Sequence, residues 1–343
     1  MSAPFCDILL KLCRREDLSR DEAREAFELI MSGQATDAQI GGLLIGLAAK
    51  GSTVEELVGA ASVMRQKVLR VEPDAADKDA ILLDTCGTGG DVRHTFNIST
   101  AAALIVAGAG VKVVKHGNRS ASSKSGSADV LEKLGVKLEV TPACLAQSLK
   151  EANICFAFAR AHHPAMKFVA QARTALGIPT VFNVLGPLTN PGGARHQLLG
   201  VFTPELTDRL AAVLRELGST RAWVVHAHDG LDELSTIGPT RISELRGGRI
   251  TTFTISPTDV GLPYARLSDL QVNSVDESAA AIREILGGKP GPHRDIAVLN
   301  AAGALVVAEA CEDLKAGMAR ASQAIDSGAA RRALESLVQI TAG

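Results

Sequence analysis

The sequence predicts an α/β protein in two parts: a small all-helical domain over residues 1–72, completed by helices around 163–190, and a larger α/β domain over 80–343 with a mostly parallel central sheet. Three observations carry this expectation. Capping-box patterns pair Ser19 with Glu22, Thr36 with Gln39 and Thr53 with Glu56, each just before an apolar-periodic stretch. From Ile81 onward, short apolar runs alternate with helical stretches, as parallel strands joined by crossover helices require. At 343 residues the chain also exceeds the size that one core commonly serves.

In chain order, Gly33 and Gly51 stop the early helices, and the faces Leu43, Leu44, Leu47 and Leu57, Val58, Ala61 demand a covering surface. The rest of the chain could supply it, or a second subunit. The charged spacer Glu72 to Asp79 follows. Strands are expected at Ile81–Asp84, Val111–Lys115, Ile154–Ala159, Gln197–Val201 and Ala222–His226, with helices at Ile98–Ala107, Ala128–Leu134, Pro142–Glu151 and Pro204–Leu217. Phe182 to Pro191, FNVLGPLTNP, reads as an apolar loop fixed by its prolines. Arg241 to Ile255 reads as a hairpin turning at Gly247-Gly248, and helices return from Ser274 to Leu337.

A formal charge of −2 argues against broad binding to nucleic acid or an anionic membrane, so any basic cluster must act locally. Six cysteines without a CxxC pair or close His/Cys spacing point to reduced thiols rather than zinc or disulfides, and Cys86 to a small buried filler. The start carries no apolar run fit for a signal peptide. Ala101 to Val114 is too short and glycine-punctuated to span a bilayer, so a soluble, cytoplasmic protein is expected.

The chemistry concentrates in loops that follow strands. Asp84 to Asp91, DTCGTGGD, lacks the Gly-Lys-Ser/Thr of a nucleotide-binding P-loop and the spacing of a dinucleotide fold. Its bare amides at Gly87, Gly89 and Gly90 suit an anion, and the Asn97-Ile98-Ser99-Thr100 helix start adds free N–H groups and a dipole. By itself the segment fits a tight strand-to-helix turn equally well. KHGNRSASSKSGS, Lys115 to Ser127, offers three cations and five hydroxyls directly after an apolar strand, either as a binding loop or as a solvated one. His116 taken alone reads as a structural hydrogen-bonding residue. Asp232 and Glu233 in HDGLDEL are hard oxygen donors of the kind Mg²⁺ takes beside phosphate, though neighbouring acids can also simply face solvent. Arg173 suits either a surface ion pair or a planar carboxylate. In parallel sheets ligands collect beyond the carboxyl ends of the strands, and that rule brings these loops to one edge.

Taken together, GTGGD, NIST, KHGNRS…SGSAD, HHPAMK, LGPLTNP and DGLDE resemble the anthranilate phosphoribosyltransferases of tryptophan biosynthesis, over nearly the whole chain. The resemblance implies a glycosyltransferase of nucleoside phosphorylase/phosphoribosyltransferase-like fold, a homodimer through the helical domain, using Mg²⁺, two ions in all, and 5-phosphoribosyl 1-diphosphate (PRPP). It implies PRPP binding by Gly87, Gly90, Asp91, Thr95, Asn97, Ile98, Ser99 and Thr100 in the first loop and helix start. In the second loop it implicates Lys115, His116, Gly117, Asn118, Arg119, Ser120, Ala121, Ser122, Ser123 and Ser127. Ser99, Asp232 and Glu233 match the metal positions. Asn118 and Arg173 match those holding anthranilate, with Gly87 nearby, and His116, His163 and Pro187 line the aromatic's path. No residue matches a general acid or base. The pattern departs at Gln171-Ala172, where the family commonly has Pro-Val, and at Pro179, where it commonly has Arg. A pyrimidine-nucleoside phosphorylase shares the architecture but has no need of the DGLDE acids, and a nucleic-acid-binding relative would need a basic surface.

Overall fold

The computed structural model describes residues 3–73, 80–91, 93–119 and 125–343. An N-terminal helix α1 (Ala3–Cys13) precedes α2 (Arg20–Met31), α3 (Asp37–Lys50) and α4 (Val54–Lys67), and all three expected capping boxes form at the starts of the latter. Each box satisfies amide groups that have no partner within the helix, which stabilises it by about 1 kcal/mol.

The chain then alternates β1 (Leu82–Gly87), α5 (Ile98–Gly108), β2 (Lys112–Gly117), α6 (Ser127–Lys133), α7 (Pro142–Glu151) and β3 (Ile154–Phe158). Three short elements follow: α8 (Ala159–His162), α9 (Lys167–Leu176) and α10 (Phe182–Leu185). Next come β4 (His196–Gly200), α11 (Glu205–Glu216), β5 (Arg221–Ala227), β6 (Thr240–Arg246) and β7 (Arg249–Ile255). Helices α12 (Val275–Leu286), α13 (Pro292–Val307), α14 (Leu314–Asp326) and α15 (Ala329–Ala342) close the chain.

One sheet orders these strands β3-β2-β1-β4-β5-β6-β7; β1 to β5 are parallel, and β6 and β7 add the antiparallel hairpin. β1 and β2 run on to Gly87 and Gly117, past their expected ends, because ladder pairing with Gly200 and Phe158 continues where the side-chain pattern falls silent. Helix α5 is buried from Ile98 to Ala107 apart from Ser99, the burial its all-round apolar surface demands. It sits in the core shared with α6 and α12 to α15 on one sheet face.

The opposite face carries α11 and the helical bundle, and Val169, Ala172, Phe182 and Leu185 of α9 and α10 join that same core. The faces Leu43, Leu44, Leu47 and Leu57, Val58, Ala61 are buried within the single chain, so the rest of the chain covers them. The expected apolar loop FNVLGPLTNP is corrected. It forms α10 and a 3₁₀ turn over Gly186–Leu188, because Asn183 Oδ1 caps the start by accepting from Thr180 N at 3.0 Å and the apolar side chains bury. No helix among the described residues is long and apolar enough to cross a membrane.

Candidate active site

The carboxyl ends of β1, β2 and β5 open into one cavity of about 590 Å³. Its walls include Gly87 to Asp91, Thr95 to Ser99, Lys115 to Arg119, Ser127, Asp232 and Glu233, with His163, Arg173 and Pro187 on the helical side. Three polar loops distant in sequence thus meet at one edge. Thr100, also a candidate, has a fully buried side chain and does not line the wall; Ser120, Ala121, Ser122 and Ser123 lie outside the described residues.

Glycine is required where the chain turns in. Gly89 and Gly90 adopt φ of +63° and +91°, a region that penalises any Cβ. A Cβ on Gly87 would come within 2.7 Å of Asp232 Oδ2, and Gly89 N donates to that same oxygen at 3.2 Å. The GTGGD turn and the DGLDEL loop therefore seat each other. Gly200, which sequence reasoning missed, is tighter still: a Cβ there would lie 1.6 Å from the Asp232 carbonyl oxygen. A glycine ending a strand was its only signal.

Asp232 and Glu233 keep an edge on the cavity while the rest of each side chain is enclosed. Burial, reinforced by Asp91, pushes the Asp232 carboxyl up to about 7, against the Gly89 N–H that favours its charge. Glu233 is also raised, by burial and then by Asp232, while Lys115 and the Ser99 N–H pull it back. Asp91 is raised too, chiefly by burial. Three crowded carboxyls in one wall are costly without a cation, and their hard oxygens fit Mg²⁺. Among the described residues no group of three or more His, Cys, Asp or Glu side chains is arranged to hold a metal ion by itself, so a bound ligand would have to supply further oxygens.

The opposite wall is cationic and donor-rich. Lys115, 1% exposed, sends Nζ to Thr85 O at 2.6 Å and Ser99 Oγ at 3.3 Å. Burial lowers its affinity for a proton, and the buried Asp84 offsets only part of that. Asp84 itself accepts from His116 N at 3.1 Å and Asn190 Nδ2 at 2.7 Å, tying β1 to β2 and to the loop after Pro187. Helix α5 starts at Asn97 with no side-chain cap; Ile98 N donates to Phe96 O at 2.8 Å, Thr100 N to Asn97 O at 3.2 Å, and the Ser99 N–H favours the charge of Glu233. Gly117 admits no side chain, since a Cβ would meet Ser127 Oγ at 2.2 Å. Arg119 stays exposed, its guanidinium paired with Asp129 at 2.8 Å and Glu132 at 2.9 Å.

Towards the helical domain, His116 and His163 approach at 3.2 Å between Nε2 atoms, and burial lowers them to about 3 and about 4, so both rings are neutral at pH 7. That favours the structural reading of His116 over a basic one. Arg173 lies over Phe182 with 5.3 Å to the ring centroid and has no carboxylate partner among the described residues. Of the two departures from the family pattern, Pro179 lines this end of the cavity, and Ala172 is buried in the bundle core. Met64, Met166 and Phe182 add an apolar wall, a role sequence reasoning gave to none of the three. One end thus suits phosphates and a metal, the other a flat apolar body with a carboxylate.

Comparisons with known proteins show the family. The chain matches the glycosyl transferase family helical bundle domain over residues 7–68 and the a/b domain of the same family over 79–331. It is 54% identical over 323 residues to the anthranilate phosphoribosyltransferase of Rhodospirillum rubrum, covering 94% of this chain and 92% of that one. Among solved structures, the anthranilate phosphoribosyltransferase of Thermus thermophilus aligns with a TM-score of 0.90 at 39% identity over 98% of this chain and 99% of its own. The Saccharomyces cerevisiae enzyme in complex with PRPP and Mg gives 0.89 at 29% identity over 100% and 99%.

Proposed function

The chain belongs to the anthranilate phosphoribosyltransferases of the glycosyl transferase family, and from that premise we propose how its own residues perform the transfer. The reaction joins the amine of anthranilate to C1 of the ribose of PRPP and releases diphosphate, a step of tryptophan biosynthesis. PRPP occupies the polar end. Backbone amides of Gly87, Gly90 and the α5 start, with Thr95, Asn97 and Lys115, hold its phosphates, and Asn118, Arg119 and Ser127 close the second side.

Asp232, Glu233 and Ser99 would hold Mg²⁺, two ions in all, which when bound neutralises charge on the departing diphosphate. Anthranilate lies at the apolar end, its carboxylate on Arg173 and Asn118 and its ring along His116, His163 and Pro187. An aromatic amine is unprotonated near neutral pH, so no general base is needed; alignment and charge neutralisation carry the catalysis. In-line attack inverts the α-diphosphate to a β-phosphoribosylamine.

The single observation that carries this reading is the convergence of the GTGGD, KHGN and DGLDEL loops on one cavity. Its test is the loss of anthranilate fluorescence when protein, PRPP and Mg²⁺ are combined, with none when any one is omitted; loss without PRPP would contradict it. We further propose a cytoplasmic homodimer that meets through the helical domain, residues 1–72, apart from the α/β domain, 80–343. Leu10 and Ile45 remain exposed there, on α1 and α3. A monomer in sedimentation at micromolar protein would reject the dimer.

A further inference from the structure

Asn97 faces the cavity at the mouth of α5, and an amide there can present either of two opposite faces to an anion: its NH₂ group attracts, its carbonyl oxygen repels. The chain resolves this choice with a residue 181 positions away. Ser278, on α12 and 0% exposed, accepts from Asn97 N at 3.0 Å and donates its own hydroxyl hydrogen to Asn97 Oδ1 at 2.9 Å. Ser125 Oγ donates to the same Oδ1 at 2.6 Å, and Asn97 Nδ2 donates to Ser125 O at 3.3 Å.

Because the Ser125 carbonyl can only accept, the amide atom facing it is Nδ2, and the atom that faces the Ser278 and Ser125 hydroxyls is the oxygen Oδ1. Two hydroxyls therefore pin Oδ1, and the second hydrogen of Nδ2 is left for the cavity. This also accounts for the missing cap. A helix-starting asparagine ordinarily turns its oxygen onto its own amides. Here the oxygen is held by Ser278 and Ser125 and makes no bond to the α5 amides.

We propose that Ser278 is a positioning residue for the phosphorylated substrate: it fixes the rotamer and flip of Asn97 so that its amide donor meets the anion. The inference rests on the PRPP site proposed above and deepens it. A hydroxyl in a C-terminal helix that touches no substrate thereby sets affinity at the other end of the fold.

Ser278→Ala keeps a good helix former in α12 and removes only the oxygen. The expected result is a rise of about tenfold in KM for PRPP, the size of one or two lost hydrogen bonds, with KM for anthranilate and kcat within about twofold of wild type. In an Asn97→Ala background the same substitution should add almost nothing, since its target is gone. Ser278→Cys, close in size with a weaker donor, should fall between serine and alanine. An equal rise for both substrates, an unchanged KM for PRPP, or a full additional loss in the Asn97→Ala background would overturn the proposal, a purely structural role predicting the last. Calorimetric titration of the wild type with PRPP and Mg²⁺ is the control that separates the two claims: absence of binding there removes the site itself, whereas binding with an indifferent Ser278 removes only this inference.

Discussion

Gly200→Ala is the sharpest perturbation available, because it touches no proposed ligand and acts only through position. The new Cβ would lie 1.6 Å from the Asp232 carbonyl oxygen, against a floor near 3.0 Å for real contacts, so β4 and the DGLDEL loop must part by about 1.4 Å. Backbone rather than a flexible side-chain tip occupies the space, and no rotamer can relieve it. Asp232 Oδ2 also accepts from Gly89 N, so the displacement reaches the GTGGD turn. A misplacement of about 1 Å in an aligned site costs on the order of 10²-fold, or about 2.7 kcal/mol of transition-state stabilisation. Anthranilate fluorescence decay, followed across Mg²⁺ and PRPP concentrations, should show kcat/KM falling by about that factor and the Mg²⁺ requirement rising. Wild-type turnover with a wild-type Mg²⁺ response would refute the claim that the seat of Asp232 on Gly200 places the metal-binding edge.

Arg173→Ala should raise KM for anthranilate about tenfold and leave that for PRPP nearly unchanged; the opposite ordering in steady-state kinetics counts against a carboxylate partner. Asp84→Ala takes the buried acceptor from His116 N and Asn190 Nδ2 and should cost about 2–4 kcal/mol in urea unfolding; a loss below about 1 kcal/mol would show that Asp84 is not a stabilising link between β1 and β2. His116 titrates near 3 in the fold against 6.5 in a free chain, so the unfolded chain binds the extra proton first and stability is lost as pH falls below 6.5. At pH 5 this amounts to about 2 kcal/mol. His116→Gln should remove that part of the stability slope between pH 7 and 5; an unaltered slope would contradict the buried, neutral ring.

What the sequence made legible was local. Ser19, Thr36 and Thr53 announce their helices because a capping box is written within four residues, and VKVV announces a strand because both of its faces are buried. The glycines of GTGGD and the acids of DGLDE were visible as residue types, and the strand-end rule sufficed to bring them together. Gly200, Ser278 and Asp84 were not legible as site residues, since their significance lies in atoms more than thirty residues away: the Asp232 carbonyl, the Asn97 amide, and His116 with Asn190. FNVLGPLTNP was misread as a loop because its prolines and glycine mask two turns of helix that form only when Phe182 and Leu185 find the bundle core. Thr100 matched a motif by adjacency, yet the helical period turns its side chain into the core.

The central claim is that loops remote in sequence build one pocket for a magnesium-chelated phosphoribosyl diphosphate. A crystal structure of the protein with PRPP and Mg²⁺ tests it most directly. Diphosphate oxygens at the Gly87–Gly90 turn and the α5 start, with Mg²⁺ on the Asp232–Glu233 edge, are the predicted result. PRPP bound away from both glycine turns, or metal held away from these carboxylates, would contradict it.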